Sequence, residues 1–248
     1  MTVPAGYTAL AIGKRRAVVR DDLVPVLGAW LLTGPLAAPA DATPIDGGRG
    51  GAFRIRLRGS ERGVVRLGRR GGAVAHVIRE WYVGVRPRPW RELAVTLTAR
   101  RRGAPVPEVV AACVHGWGAY RSAVVTVELP SVTPVLTALA TAPAGEPRHA
   151  IARAASAAVA RLHREGVVHP DLHLGNIVIG RDGATIIDLD RARIRSGPLE
   201  REPRARSLRR LARSVRKLDP AGTTIDAATA RAFHEAYRQA FAEAACGF

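Results

Sequence analysis

Lysine is almost missing from this chain: of its 38 basic Lys and Arg residues, only Lys14 and Lys217 are lysines. Arginine therefore carries nearly all the positive charge, and any task usually given to a lysine must fall elsewhere. Cysteine is as scarce. Cys113 and Cys246 give no disulfide framework and no CxxC, which excludes a disulfide-held scaffold and fits a reducing compartment. The opening MTVPAGYTAL lacks a basic region followed by an apolar run, so no secretory signal is expected. Residues 23–40 are uncharged and long enough to raise the question of a membrane span, but Pro25, Gly28, Gly34, Pro35 and Pro39 interrupt them. They read as a short helix plus a loop. A soluble cytoplasmic protein without a transmembrane segment is expected.

What is present suits a globular protein. Apolar residues make up 47% of 248 residues, enough to bury a real core in one large domain or two small ones. The formal net charge of +17 favours an anionic partner. The arginine excess has two readings. A GC-rich genome produces it without selection, and arginine is also the better residue for gripping phosphate and carboxylate with two prongs.

No internal repeat is visible. The first half reads as strands and turns. Residues 52–58 (AFRIRLR) alternate apolar and charged, and residues 63–67 (GVVRL) form another strand candidate. A Gly-rich turn over residues 47–51 stands ahead of both, before what reads as the first strand. A helix is expected over residues 90–102, then strands over 109–114 and 123–129. After Pro130 the character changes. Residues 148–164 form an alanine-rich helix ended by Gly166, and residues 177–179 and 185–187 are short strands joined by a GRDG hairpin turn. In the remainder Leu208, Leu211, Val215 and Leu218 repeat at helical spacing, and residues 227–245 form a last helix. A sheet-rich part over residues 1–129 and a helical part over 130–248 would make two lobes of one α+β fold.

The sharpest feature is residues 167–193, VVHPDLHLGNIVIGRDGATIIDLDRAR. It sets Asp171 five residues before Asn176, and Asp188 twelve residues after that. Phosphoryl transfer needs a carboxylate to orient the acceptor hydroxyl, and oxygen ligands for Mg²⁺ across the phosphates. An Asp and an Asn on one tight loop can supply the base and one ligand, and a hairpin can return a second Asp to the same place. His169, Asp171 and His173 also alternate, as a metal site on a strand would. No further His or Cys pair at ligand spacing follows, which ranks that reading below the first.

The HxD(x)4N pattern, followed by a strand, a turn and an Asp, resembles the catalytic loop and metal-binding Asp of the protein-kinase-like fold. More narrowly, the chain resembles the lipopolysaccharide kinase family, in particular its Kdo (3-deoxy-D-manno-octulosonic acid) kinases. The shared phrases are the HxDL–N-I loop, the I-D-x-D-R segment, GRGGA at 48–52, RRGG at 69–72, Arg91-Glu92 and PVP at 105–107. The likeness runs from about residue 45 to about residue 218. It implies a bilobal kinase-like fold and ATP with Mg²⁺ as cofactors, with Asp171 as the base and His169 bracing the loop. Asn176 and Asp188 become the metal ligands.

A kinase normally places a strand lysine on the nucleotide phosphates. Arg66 stands where the resemblance puts that lysine, and Glu92 matches its paired helix glutamate; an arginine fork can hold carboxylate and phosphate together. A surface arginine and a solvated glutamate are the plain alternative. Gly48, Gly50 and Gly51 can cradle phosphates through backbone N–H groups, or form an ordinary turn. Arg69 and Arg70, with the basic loop at 86–91, suit an anionic acceptor of the Kdo-lipid A type. Asp190 and Arg191 are further acceptor-facing candidates, with a helix cap as the other reading of Asp190. The basic helix over 204–218 could touch an anionic membrane surface, though packing suits its narrow stripe better.

The expected activity is thus ATP-dependent phosphorylation of a sugar hydroxyl, peripheral to the cytoplasmic face of a Gram-negative inner membrane, with no nucleic-acid partner. A small-molecule kinase of the aminoglycoside or choline type shares the loop but not the front-half phrases. A pseudokinase binding an anionic glycolipid would explain the missing lysine, but has no need of Asp171, Asn176 and Asp188 together.

Overall fold

The structure is a computed structural model and describes residues 2–34, 36–39, 41–45, 51–68, 82–84 and 87–242. The chain divides into two compact units. One holds residues 1–97 and 108–128; the other holds 98–107 and 129–248. Residues 98–107 therefore count with the second unit although they precede the second sheet hairpin of the first.

The first unit is built on an antiparallel sheet of eight strands. In chain order these are β1 (Tyr7–Ile12), β2 (Arg15–Arg20), β3 (Thr43–Pro44), β4 (Ala52–Arg56), β5 (Arg62–Leu67), β6 (Tyr82–Val83), β7 (Val109–Trp117) and β8 (Ala119–Val127). Their order across the sheet is β1-β2-β7-β8-β5-β4-β3, with β6 pairing β8. Helix α1 (Val24–Leu32) lays Leu27 and Leu31 into a core with Val19, Phe53, Val65, Val110 and Val125. The helix is short, as expected, although Pro25 and Gly28 lie within it and it ends at Leu32, ahead of Gly34. Helix α2 (Arg88–Arg101) adds Leu93 to a second cluster with Val18, Val109 and Val124. Cys113 is buried in the sheet, and burial pushes its thiol up to about 12, which makes it an inert core residue. The Gly-rich turn does not precede the first strand: β1, β2 and α1 all come before it. In β1 the apolar residues Ala9, Ala11 and Ile12 lie exposed at an edge of the sheet, so no in–out alternation marks the strand.

The second unit is helical. It holds α3 (Val135–Thr141), α4 (Glu146–Arg164), α5 (Arg201–Leu218) and α6 (Ala227–Ala242). Short strands β9 (Thr133–Pro134), β11 (Ile177–Gly180) and β12 (Gly183–Ile186) form one sheet, and β10 (Val167–Val168) pairs β13 (Arg193–Ile194). Pro147 near the start of α4 costs no helical bond, and Arg161 and Arg164 in its last turn suit the negative end of the helix dipole. Gly166 follows at φ 74°, and a Cβ there would meet the Gly197 carbonyl oxygen at 2.5 Å. Only glycine can therefore turn the chain out of α4 into β10. Small residues Ala152, Ala155 and Ser156 let α6 approach α4 closely, and Ser156 Oγ donates to the Phe233 carbonyl at 2.7 Å.

The buried face of α5 overlaps the expected leucine stripe only in part, with Leu208 and Val215 half-buried. Ser207 and Leu211 are buried, while Leu218 is 49% exposed. Ser207 Oγ bonds the buried His163 at 3.1 Å, and His163 also meets the Tyr237 hydroxyl at 2.7 Å. Burial lowers the His163 pKa to about 3, so this three-helix junction contains a neutral imidazole.

Candidate active site

The loop after β10 begins with His169, which is buried. The Asp171 N–H donates to His169 Nδ1 at 3.3 Å, so the ring proton sits on Nε2 and is donated to the Ile187 carbonyl, also at 3.3 Å. Burial lowers the pKa of His169 and favours this neutral form. The imidazole spans from the loop to the residue before Asp188. Beyond it, alternation divides the chain: Leu172, Leu174 and Asn176 turn inward and are buried, while Asp171 and His173 remain partly exposed.

Asn176 Nδ2 donates to the Asp171 carbonyl at 3.0 Å. That contact fixes which end of the amide is which and leaves Oδ1 as the atom able to ligate a cation. The Ile187 N–H donates to the Asn176 carbonyl at 3.0 Å, continuing the β11–β12 register of Ile177 with Ile186. The two-residue turn at Arg181 and Asp182 thus returns the chain so that Asp188 follows directly on the partner of Asn176. Asp188 has φ 65°, in the left-handed region that costs most L residues about 1–2 kcal/mol and that Asp tolerates better than most. The Ile186 N–H is held by the Pro105 carbonyl at 2.8 Å, which gives the PVP phrase a physical task.

The loop that carries Asp171 has two partners on α5 that sequence reasoning missed. Arg210 Nη1 on α5 donates to Asp171 Oδ1 at 3.1 Å, with the two side chains 45% and 50% exposed. Ser214 Oγ, one turn further on, accepts from the Leu174 N–H at 3.1 Å and donates to the Leu211 carbonyl. Nothing in the pattern marks Arg210 among so many arginines; the burial of Ser207 rather than Leu208 is what turns it toward the loop. His173 Nδ1 accepts from the Gly175 N–H, and its Nε2 lies 3.9 Å from Asp171 Oδ2, beyond hydrogen-bonding distance.

Asp190 and Arg191 form the turn after Asp188, where the Ala192 N–H donates to the Leu189 carbonyl at 3.0 Å. Asp190 does not cap a helix, because α5 begins only at Arg201.

In the first unit, Arg66 on β5 makes an ion pair with Glu92 on α2. The Glu92 carboxylate is 8% exposed and Arg66 34%. A carboxylate so buried requires such a partner, so the solvated-glutamate reading does not fit. Gly51 precedes β4 and its carbonyl accepts from the Leu67 N–H at 2.8 Å, beside the Ala52–Arg66 pair. Gly48, Gly50, Arg69 and Arg70 lie outside the described residues.

The donor set of Asn176 and Asp188 is one amide oxygen and one carboxylate. These are hard ligands, and Mg²⁺ takes one or two of them and completes its shell with phosphate oxygens and water. Among the described residues no group of three or more His, Cys, Asp and Glu could hold a metal. A buried His brace, a partly exposed Asp, an Asn tied to that Asp and a second Asp returned by a hairpin define a phosphotransferase of the protein-kinase-like fold. Solved structures agree on the fold. "WaaP in complex with acyl carrier protein" superposes with a TM-score of 0.53 at 21% identity, covering 82% of this chain and 79% of that one. A glucosamine kinase superposes at 0.51 with 13% identity, covering 98% and 81%.

The chain belongs to the lipopolysaccharide kinase (Kdo/WaaP) family, which matches residues 45–241. A 3-deoxy-D-manno-octulosonic acid kinase from Xanthomonas oryzae pv. oryzae (strain PXO99A) is 34% identical over 244 residues, 95% of this chain and 92% of the relative. One from Xylella fastidiosa (strain 9a5c) is 33% identical over 178 residues, 70% and 69% of the two chains. The protein is a kinase, and the residues the family matches take in both the front-half phrases and the catalytic loop.

Proposed function

We propose that this kinase transfers the γ-phosphate of ATP to a hydroxyl of a Kdo residue carried on lipid A, with Asp171 as the base. The observation that carries the reading is the state of Asp171. Its backbone is held from both sides, by His169 through the N–H and by Asn176 through the carbonyl, while its carboxylate stays half exposed. The acceptor oxygen attacks the γ-phosphorus as the bond from that phosphorus to the bridging oxygen breaks. ADP leaves with the bonding electrons, and the hydroxyl proton passes to Asp171. With Oδ1 engaged by Arg210, Oδ2 is the atom that receives it.

Asn176 Oδ1 and the Asp188 carboxylate would hold Mg²⁺, which when bound neutralises charge on the phosphates. The Arg66–Glu92 pair supports a nucleotide clamp in which guanidinium replaces ammonium, with Glu92 holding the arginine in place. Gly51 and the glycines before it serve the same nucleotide, and Arg69, Arg70, Asp190 and Arg191 meet the acceptor. An acceptor embedded in a membrane places the protein at the cytoplasmic face of the inner membrane, as a peripheral protein. Among the described residues no helix is long and apolar enough to cross a membrane.

Two measurements test the proposal. Purified protein with ATP, Mg²⁺ and Kdo-lipid A should yield a product heavier by one phosphate, and lipopolysaccharide core from cells lacking the protein should lose one. An unchanged core mass would sink the acceptor assignment.

A further inference from the structure

We infer that Arg210 selects the acceptor, with its guanidinium bridging Asp171 and the carboxylate of an acidic sugar bound beside it. The inference deepens the proposed function and rests on it.

Arg210 stands on α5, and α5 is fixed to the catalytic loop by Ser214, whose hydroxyl takes the Leu174 N–H at 3.1 Å. The arginine is thus held beside Asp171 by the fold. Its contact to Asp171 Oδ1, at 3.1 Å, uses Nη1, and a guanidinium carries five N–H donors in a planar fork. An ion pair with both partners half exposed adds little to folding, so stability gives no reason for an arginine here. Recognition does: the fork matches a carboxylate with two parallel bonds. Kdo is an acid, so its carboxylate and its hydroxyls sit on one small ring. A residue that touches the base and still has donors to spare can bind the first while the second reaches Asp171.

The surrounding charge points the same way. Arg206, Arg210, Arg213 and Lys217 follow one another at helical spacing and are all exposed. They make one basic face of α5 that holds the arginine bonded to Asp171, with Arg206 also 3.6 Å from Glu202. A neutral sugar has no use for it, whereas an acidic sugar on a phosphorylated lipid does. Arg209 lies off this face and pairs with Glu202 at 2.9 Å, which makes it a matched control.

The test compares Kdo-lipid A with its carboxyl methyl ester, under saturating ATP, on wild type, R210Q, R210K and R209Q. Wild type and R209Q should prefer the acid by tenfold or more in kcat/KM. R210Q should lose that preference, mainly through a raised KM for the acid, and R210K should keep part of it. The KM for ATP and the thermal midpoint report whether each variant still folds and binds nucleotide. If R210Q slows both acceptors equally, Arg210 only positions Asp171 and the inference falls; unchanged R210Q kinetics overturn it as well. If wild type phosphorylates neither compound while R210K and R210Q stay folded, it is the Kdo reading itself that fails.

Discussion

Two carboxylates, one in each unit, each meet an arginine, and the two pairs are built in opposite ways. Glu92 is withdrawn from water on a helix and meets Arg66 from a strand in the middle of a sheet path. Asp171 lies on a loop, half in water, and meets Arg210 from a helix whose neighbouring residues are mostly exposed. The first arrangement suits a group whose job is to hold another group still, since burial makes misplacement costly. The second suits a group that must exchange a proton, because solvent access lets substrate replace water. The proposed function thus divides between a fixed pair and an open one, and each should answer differently to substitution.

The open carboxylate should give the largest effect. Asp171→Asn should leave the fold intact and reduce transfer about a hundredfold or more, read by single-turnover phosphorylation; near-normal turnover would remove the base assignment. Asp188→Ala should follow, abolishing the thermal shift produced by ATP with Mg²⁺, because a neutral Asn176 is a weak ligand alone. An undiminished shift would mean the cation is held elsewhere.

The fixed pair should show both kinetic and structural effects. Arg66→Ala should raise the KM for ATP most and destabilise the protein by about 1–3 kcal/mol, since it strips a partner from a buried carboxylate. Arg66→Lys and Glu92→Gln should fall between it and wild type. Thermal melts beside ATP kinetics check the order, and an Arg66→Ala protein with wild-type ATP kinetics would move the clamp to another arginine.

The smallest effect lies outside both pairs, at His163. Its folded pKa of about 3 lies below the ordinary 6.5, so the unfolded chain binds a proton that the folded chain refuses. Stability from this group is complete above pH 6.5 and falls by about 1.4 kcal/mol per unit as pH drops toward the folded value. Denaturant melts at pH 7 and pH 5 should show this loss, and His163→Gln should flatten that part of the profile.

The catalytic loop was legible because its polar residues are forced into view. In HPDLHLGN the leucines bury and leave Asp171 and His173 outside, so spacing alone carries the chemistry. The hairpin at Arg181 and Asp182 was equally plain from its glycines. Arg66 and Glu92 were found through resemblance, since neither differs locally from a surface charge. What escaped had physical reasons. β1 pairs along an edge with Ala9, Ala11 and Ile12 exposed, which erases alternation. On α5 the buried positions are Ser207, where a hydroxyl meets His163, and Leu211, so the expected stripe covers the buried face only in part. Arg210 could not be found at all, because its role depends on that rotation and on a partner 39 residues away.

The left-handed backbone at Asp188 carries a consequence of its own. Glycine is the residue most at ease there, so Asp188→Gly should relieve the backbone while giving up the interactions that the carboxylate makes. At position 188, then, an easy backbone and a working kinase pull in different directions.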